Sequence, residues 1–355
     1  MPVRALARVD PAAITRNCER LRAALTGGAA LGAVVKGDGY GHGAKEAARA
    51  ALAGGASWLF VAAPAEAADL PGDHRVVVMG AVSEEELPGA LQAGAELTVW
   101  DERFVRRLPA GTRVHVKLDT GMGRLGTRDP EEATRVAEAA EARGCVVAGL
   151  MTHFATADER GDAFFGEQLE RFRAWAEPLR ARFPGAVLHA ANSAATLRDP
   201  AAHFDLVRCG VAIYGLDPFQ EDAAALELEP ALTLTSYVAA VKPCERGESV
   251  GYGRKFVAAQ STFVGTIPIG YGDGWRRGLT NNAEVVIGGV RYPVIGTVSM
   301  DNITVDLGRE PWVGEGDVVT LIGAGITAEE IAGRLDTINY EITCGLTARV
   351  PREYA

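Results

Sequence analysis

Between residues 31 and 210 short apolar runs alternate with longer helical patterns, and this alternation limits the fold more than any other feature. The runs are LGAVV (31–35), SWLFVA (57–62), RVVVM (75–79), ELTVW (96–100), RVHVKL (113–118), CVVAGLM (145–151), AVLHA (186–190) and DLVRC (205–209). Between most of them lie stretches rich in alanine and glutamate with helix punctuation. Asp129-Pro130-Glu131-Glu132 supplies an N-cap, a proline at the first helical position and a capping-box glutamate, and Gly144 marks the end. Strands that alternate with helices pair in parallel. Eight of them fit a closed (β/α)8 TIM-type barrel, with an open doubly wound sheet as the competing arrangement.

After about residue 225 the rhythm changes. ALTLTSYVAAV, STFVGTIPI, AEVVIGG, VRYPVIGTVSM, ITVDL and DVVTLIG are strand-like, closely spaced and separated by glycines, and Thr327-x-x-Glu330 signals one late helix. The opening VRALARV is also strand-like. The expected organisation is an N-terminal strand in 1–10 that pairs with the C-terminal domain, a barrel over 11–225, and a mainly β domain over 226–355. A chain of 355 residues, 48% hydrophobic and 23% charged, buries such a core without disulfides or metals.

Charge and cysteine usage narrow the function. A net charge of −10 argues against a general nucleic-acid binder, which needs a basic face. Five scattered cysteines without CxxC spacing point to reduced thiols and against a zinc site, so no metal is expected. The N-terminus carries charge throughout, and no apolar run approaches the ~20 residues a membrane helix requires. The expectation is a cytoplasmic protein with neither a membrane nor a nucleic-acid partner.

In a parallel barrel the site forms on loops at the carboxyl ends of the strands. Lys36, Lys117, His153, Asn192, Ser193 and Arg208 all fall in or just after the candidate strands. Any one of them alone is an ordinary solvated end-of-strand residue; their joint placement on one rim favours a site. Lys36 in VVKGDGYGHG precedes its glycines, whereas a phosphate loop places lysine after them. Two readings stay open from the residues themselves: a structural lysine whose head reaches water, and a Schiff-base lysine desolvated enough to react with an aldehyde.

VVKGDGYGHG resembles the cofactor-lysine signature of the alanine racemases, which carry pyridoxal phosphate. The resemblance continues through KLDTGMGRLG (117–126), THFATADE (152–159), HAANSAATL (189–197), VRCGVAIYGL (207–216), GYG (251–253), TIPIGYGDGW (266–275), VSMDN (298–302) and TINYE (337–341). It implies a cofactor-binding barrel followed by a β domain, an amino-acid substrate, and a homodimer whose active sites are shared between subunits. It also implies D-alanine for peptidoglycan as the product.

By the same resemblance Lys36 holds the cofactor covalently and acts on the α-proton of the D-enantiomer. Tyr252, contributed by the second subunit, acts on that of the L-enantiomer. Two bases on opposite faces suit a reaction that removes a proton on one side and returns one on the other. Arg208 matches the arginine at the pyridine nitrogen, and His189 and His153 match histidines that position Arg208 and Tyr252. Tyr40, Ser193, Tyr340 and the backbone amides of Gly210 and Val211 match the phosphate contacts, with Asn192 beside them. Arg124 matches the residue that meets the phenolic oxygen and the substrate carboxylate, and Lys117 a lysine that is often carbamylated. Met300 matches a backbone contact to the substrate, with Asp301 adjacent, and Asp158, Tyr271 and Arg277 match the entrance corridor.

Two departures stand out. Gly37 and Gly39 replace the usual alanines, which predicts a looser loop after Lys36, and Thr297 replaces an entrance arginine. Competing readings are a serine or broader racemase, a decarboxylase on the same plan, and a non-catalytic cofactor-binding protein. A decarboxylase requires an acidic partner at the ring nitrogen, which Arg208 is not. A binding protein lacks the β domain that carries Tyr252 and Met300.

Overall fold

The computed structural model describes residues 3–70 and 74–355. The described chain divides into two compact units, Ile14–Phe219 and the remainder.

In the first unit all eight apolar runs form strands: β2 (Ala30–Val34), β3 (Trp58–Val61), β4 (Arg75–Val78), β5 (Glu96–Val99), β6 (Arg113–Lys117), β7 (Val146–Met151), β8 (Val187–His189) and β9 (Leu206–Cys209), numbered after an N-terminal β1 (Leu6–Val9). They pair in parallel in chain order, and β2 closes on β9 with Gly32 opposite Arg208. The β8/β9 seam is bridged more sparsely. Asp205 N–H donates to Leu188 O at 3.0 Å, Arg208 N–H to Ala191 O at 2.9 Å, and the Asp205 carboxylate accepts Leu188 N–H at 2.7 Å. The strands are buried along most of their length because helices cover their outer faces, as parallel sheets demand. The fold is therefore the TIM-type barrel that the alternation predicts.

The helix Pro130–Ala142 starts where the sequence signals it, with the Asp129 carboxylate accepting Glu131 N–H at 2.9 Å. The reciprocal half of the capping box is absent, because Glu132 accepts the Thr127 hydroxyl instead.

The second unit is one nine-stranded, mainly antiparallel sheet with a small two-stranded ribbon. Its strands are β10 (Leu232–Tyr237), β11 (Ala240–Cys244), β14 (Thr262–Ile267), β15 (Glu284–Ile287), β16 (Val290–Ile295), β17 (Ile303–Gly308), β18 (Val318–Ile322) and β19 (Arg352–Tyr354), with β12 (Ser249–Val250) and β13 (Phe256–Val257) as the ribbon. β1 enters this sheet between β10 and β19, Leu6 facing Thr235 and Val9 facing Leu232. The run ALTLTSYVAAV, continuous in sequence, is two strands: β10 pairs with β1 and β18, and β11 pairs with β14. The helix Ala328–Arg334 is capped by Thr327, which accepts Glu330 N–H at 3.1 Å. Among the described residues no helix is long and apolar enough to cross a membrane.

Candidate active site

The first site element follows β2. Residues Lys36–Tyr40 wind as a single turn in which Gly37, Asp38, Gly39 and Tyr40 all have positive φ, between 52° and 61°. A left-handed turn costs roughly 1–2 kcal/mol per L-residue with a side chain, and glycine escapes that cost. Gly37 and Gly39 therefore suit the turn's conformation and do not produce the slack loop that their identity predicts. The turn is also tied down. Gly37 N–H donates to Glu66 Oε1 at 2.7 Å, Ala44 N–H to Asp38 Oδ1 at 3.0 Å, and Gly43 N–H to Asp38 O at 2.8 Å. Lys36 is left half-buried at the strand end, and Tyr40 is buried.

Tyr40 meets the start of the turn that follows β9. A Cβ placed on Gly210 would lie 2.6 Å from Tyr40 Oη, so only a glycine leaves room for the phenol there. Ser193, 2% exposed at the start of the helix Ser193–Arg198, accepts Gly210 N–H at 3.0 Å and Ala212 N–H at 3.3 Å. Its hydroxyl hydrogen remains available as a donor. Gly210 N–H is thus already engaged, whereas among the described residues no acceptor takes Val211 N–H. The Asn192 side-chain oxygen, Oδ1, accepts Ala195 N–H at 2.9 Å, which gives this residue a capping role. Tyr40, Ser193 and Val211 form a compact donor cradle of the kind a phosphate group requires.

Arg208, from β9, is 2% exposed and held by acceptors on several sides. Nη1 donates to His189 Nδ1 at 3.0 Å. Nη2 faces Thr152 O at 2.8 Å, Ala190 O at 3.0 Å and His153 Nδ1 at 3.1 Å. Burial brings Arg208 down to about 10, still a cation at neutral pH. Burial, and then the charge of Arg208, holds both His189 and His153 well below the usual imidazole range, so both rings are neutral. One Nη1 hydrogen goes to His189, and no described protein acceptor takes the second Nη1 hydrogen or the Nε hydrogen.

Lys117 ends β6 and is 4% exposed. Burial lowers it to about 8, helped by the charges of Arg208, Arg124 and Lys36. Arg124 itself lies exposed on the loop after β6, and Asp158 is exposed on the loop after β7. Taken together, a lysine at a strand end, a buried cationic donor without its own carboxylate and a cradle of neutral hydrogen-bond donors fit pyridoxal phosphate.

The remaining predicted residues belong to the second unit. Tyr252 begins the tight turn Tyr252–Arg254 and is 75% exposed; the hydroxyl of buried Thr297 donates to its carbonyl at 2.6 Å. Thr297, noted in sequence only as a missing arginine, is the anchor of this turn. Met300 is exposed, and its carbonyl accepts Gly272 N–H at 2.9 Å, while no described acceptor takes its own N–H. Asp301 accepts Arg349 Nη2 at 2.6 Å, and both Arg349 and Arg4 also reach the fully buried Asp273. Tyr271 and Arg277 are exposed, and Tyr340 sits half-buried on the helix Asn339–Cys344.

Sequence reading missed Glu96 and His115, which stand behind His189 inside the barrel. The signal was present: Arg113, His115 and Lys117 alternate along β6, so a rim lysine at 117 puts 115 on the same inward face.

Comparison with known proteins identifies the family. Residues 9–218 match the model of the alanine racemase N-terminal domain, and residues 231–354 that of the alanine racemase C-terminal domain. An alanine racemase of Symbiobacterium thermophilum is 42% identical across 98% of this chain and 96% of its own. The crystal structure of alanine racemase from E. faecalis superposes with a TM-score of 0.93 at 37% identity, covering 99% of this chain and 98% of that one. That of Bartonella henselae, described with covalently bound pyridoxal phosphate, gives 0.88 at 28% identity over the full length of both chains. Matched along both units by sequence and by fold, the chain belongs to the alanine racemase family.

Proposed function

We propose that this alanine racemase interconverts L- and D-alanine with pyridoxal phosphate held by Lys36, using Lys36 and Tyr252 of the partner subunit as its two bases. The observation that carries the reading is the setting of Arg208, a buried guanidinium whose neighbours are neutral imidazoles and carbonyls. When bound, pyridoxal phosphate supplies an aldehyde that joins the substrate amine and an electron sink that acidifies the α-carbon proton.

Each residue then has a stated task. Tyr40, Ser193 and the Val211 amide hold the phosphate, with Asn192 beside Ser193 and Tyr340 as a further donor that the family resemblance implies. Arg208 gives an unengaged guanidinium hydrogen to the pyridine nitrogen; as a donor that does not surrender its proton, it keeps that nitrogen neutral. A neutral ring is a weak sink, which suits a reaction whose proton must return promptly and not migrate elsewhere. Lys36 Nζ takes or returns the proton on one face of the α-carbon, and Tyr252 Oη does so on the other. His153, with Nδ1 occupied by Arg208, keeps an Nε2 hydrogen to orient the tyrosine.

The substrate carboxylate is received by Arg124 and the unengaged Met300 N–H. Lys117 is a buried amine pressed toward neutrality among three cations, the state that reacts with carbon dioxide to give a carbamate. A carbamate converts that repulsion into an anion able to orient Arg124. The high exposure of Tyr252 supports a homodimer in which a second copy completes each site. D-alanine for peptidoglycan is the fitting product.

The test is incubation of the cofactor-loaded protein with L-alanine in D₂O. The expected result is D-alanine carrying deuterium at the α-carbon. Loss of the carboxylate, or no exchange with the cofactor bound, would refute the proposal.

A further inference from the structure

A line of polar groups crosses the barrel interior, where packed aliphatic side chains are the usual filling. It starts at the amino end of the strands. Glu96, the first residue of β5 and 3% exposed, accepts Arg75 Nε at 2.5 Å and Nη2 at 2.8 Å, and Arg113 Nε at 3.1 Å. Arg75 lies 3.4 Å above the Trp58 ring, which closes that end. The Glu96 Oε2 atom is 2.9 Å from His115 Nε2, His115 Nδ1 is 2.8 Å from His189 Nε2, and His189 Nδ1 is 3.0 Å from Arg208 Nη1. The two imidazoles meet edge to face, 4.9 Å apart at 84°. Gly149 makes the passage: a Cβ there would overlap His115 Nδ1 and stand 2.9 Å from His189 Nε2.

The hydrogens of this line are determined from both ends. Arginine only donates, so His189 Nδ1 accepts, and a neutral His189 then carries its proton on Nε2. His115 Nδ1 must accept that proton, so His115 in turn donates from Nε2 to Glu96. A carboxylate only accepts, so the far end agrees. Strong hydrogen bonds from His115 and Arg75 outweigh the upward push of burial and hold Glu96 at about 2, and burial keeps His115 below its ordinary value. A buried charge with two buried imidazoles is seldom more stable than an aliphatic core, so its retention calls for a role.

We propose that Glu96 and His115 are positioning residues for the cofactor end of the site: they run the hydrogen bonds in one direction and thereby fix His189 Nδ1 as the acceptor that aims Arg208. The proposal rests on the reading of Arg208 as the partner of the pyridine nitrogen.

The test is ¹⁵N NMR of histidine-labelled holoenzyme. The expected spectrum shows His115 and His189 both neutral and both protonated on Nε2. Either ring protonated on Nδ1, or doubly protonated, overturns the proposal. Glu96→Gln sharpens it. Oε1 accepts two arginine Nε donors and Oε2 accepts one arginine hydrogen, from Arg75 Nη2, so the new amide nitrogen opposes fewer arginine hydrogens at the Oε2 position and there presents a hydrogen to His115 Nε2. His115 must then shift its proton to Nδ1, against the His189 hydrogen.

The expected outcome is that tautomer switch, with pyridoxal phosphate bound about tenfold more weakly and kcat lower by about tenfold at an unchanged KM for alanine. A switched tautomer with unchanged cofactor affinity and kcat overturns the positioning role. His115→Phe tests the same link if Glu96→Gln does not fold: it leaves the His189 Nε2 hydrogen without its acceptor and should weaken the cofactor comparably, and unchanged affinity overturns the role. A wild-type protein that shows the tautomer pattern but binds no pyridoxal phosphate refutes the cofactor reading and the positioning role that depends on it, while the hydrogen-bond direction stands.

Discussion

Arg208 and Tyr252 are held in opposite ways. Arg208 is 2% exposed, and two imidazoles and two carbonyls fix its guanidinium within the barrel unit. Tyr252 is 75% exposed on a three-residue turn, and the Thr297 hydroxyl donates to its backbone carbonyl. The barrel side of the proposed site is thus fixed by the barrel's own hydrogen bonds, whereas Tyr252 of the β unit is exposed. A preorganised donor set is what a cofactor needs, since its charge and shape stay constant through the reaction. A residue offered at a surface is what a second subunit can receive.

The largest test of that contrast removes the anchor on the built side. Lys36→Ala should abolish racemisation, by more than about 10⁴-fold, and abolish covalent attachment of pyridoxal phosphate read by its absorption. Appreciable activity without attachment would break the assignment. On the outward side, Tyr252→Phe should reduce turnover by about 10²–10³-fold while cofactor binding stays intact. Enantiomers are equal in energy, so the two directions share one kcat/KM ratio. The face assignment is therefore read from α-deuterium isotope effects, which should rise more for L-alanine than for D-alanine; an equal rise contradicts it.

A third test compares stability instead of chemistry. Gly149→Ala drives a methyl into His115 and His189, and should destabilise the barrel by about 1–3 kcal/mol, measured by denaturant unfolding. Thr297→Val removes only the bond to Tyr252 O and should lower activity by a few-fold at unchanged stability to within about 1 kcal/mol. If Thr297→Val proved the more destabilising, the two sides would not differ in the way described.

The smallest effect concerns pH. Glu96 is held at about 2, below its unfolded range, so its contribution to stability is complete above about 4.5 and fades as pH falls toward 2. Acid unfolding of Glu96→Gln should be flatter than wild type across that window, and an identical slope would show that Glu96 carries no such linkage.

Much of the site was legible because the residues that bear it stand in unbroken motifs. Strand counting alone puts Lys36, Ser193 and Arg208 on one rim. The left-handed turn was not legible. Two glycines after Lys36 read as slack when their partners are unknown, and Glu66, twenty-nine residues away from Gly37, is what pins the first of them. Glu96 and His115 escaped notice for a related reason: a charged residue at a strand start is ordinarily solvated, and only closure of the barrel puts it behind a histidine.

The sequence by itself determined the eight-strand alternation, the change of rhythm near residue 225 and the identity of the reactive groups, because these depend on local periodicity and on residue chemistry. Tertiary structure alone decided which hydrogens those groups offer. Gly210 N–H is taken by Ser193 and Val211 N–H is not, and His189 accepts from Arg208 because His115 and Glu96 lie beyond it. Donor and acceptor roles are settled by neighbours on other elements, and those neighbours meet only inside the barrel.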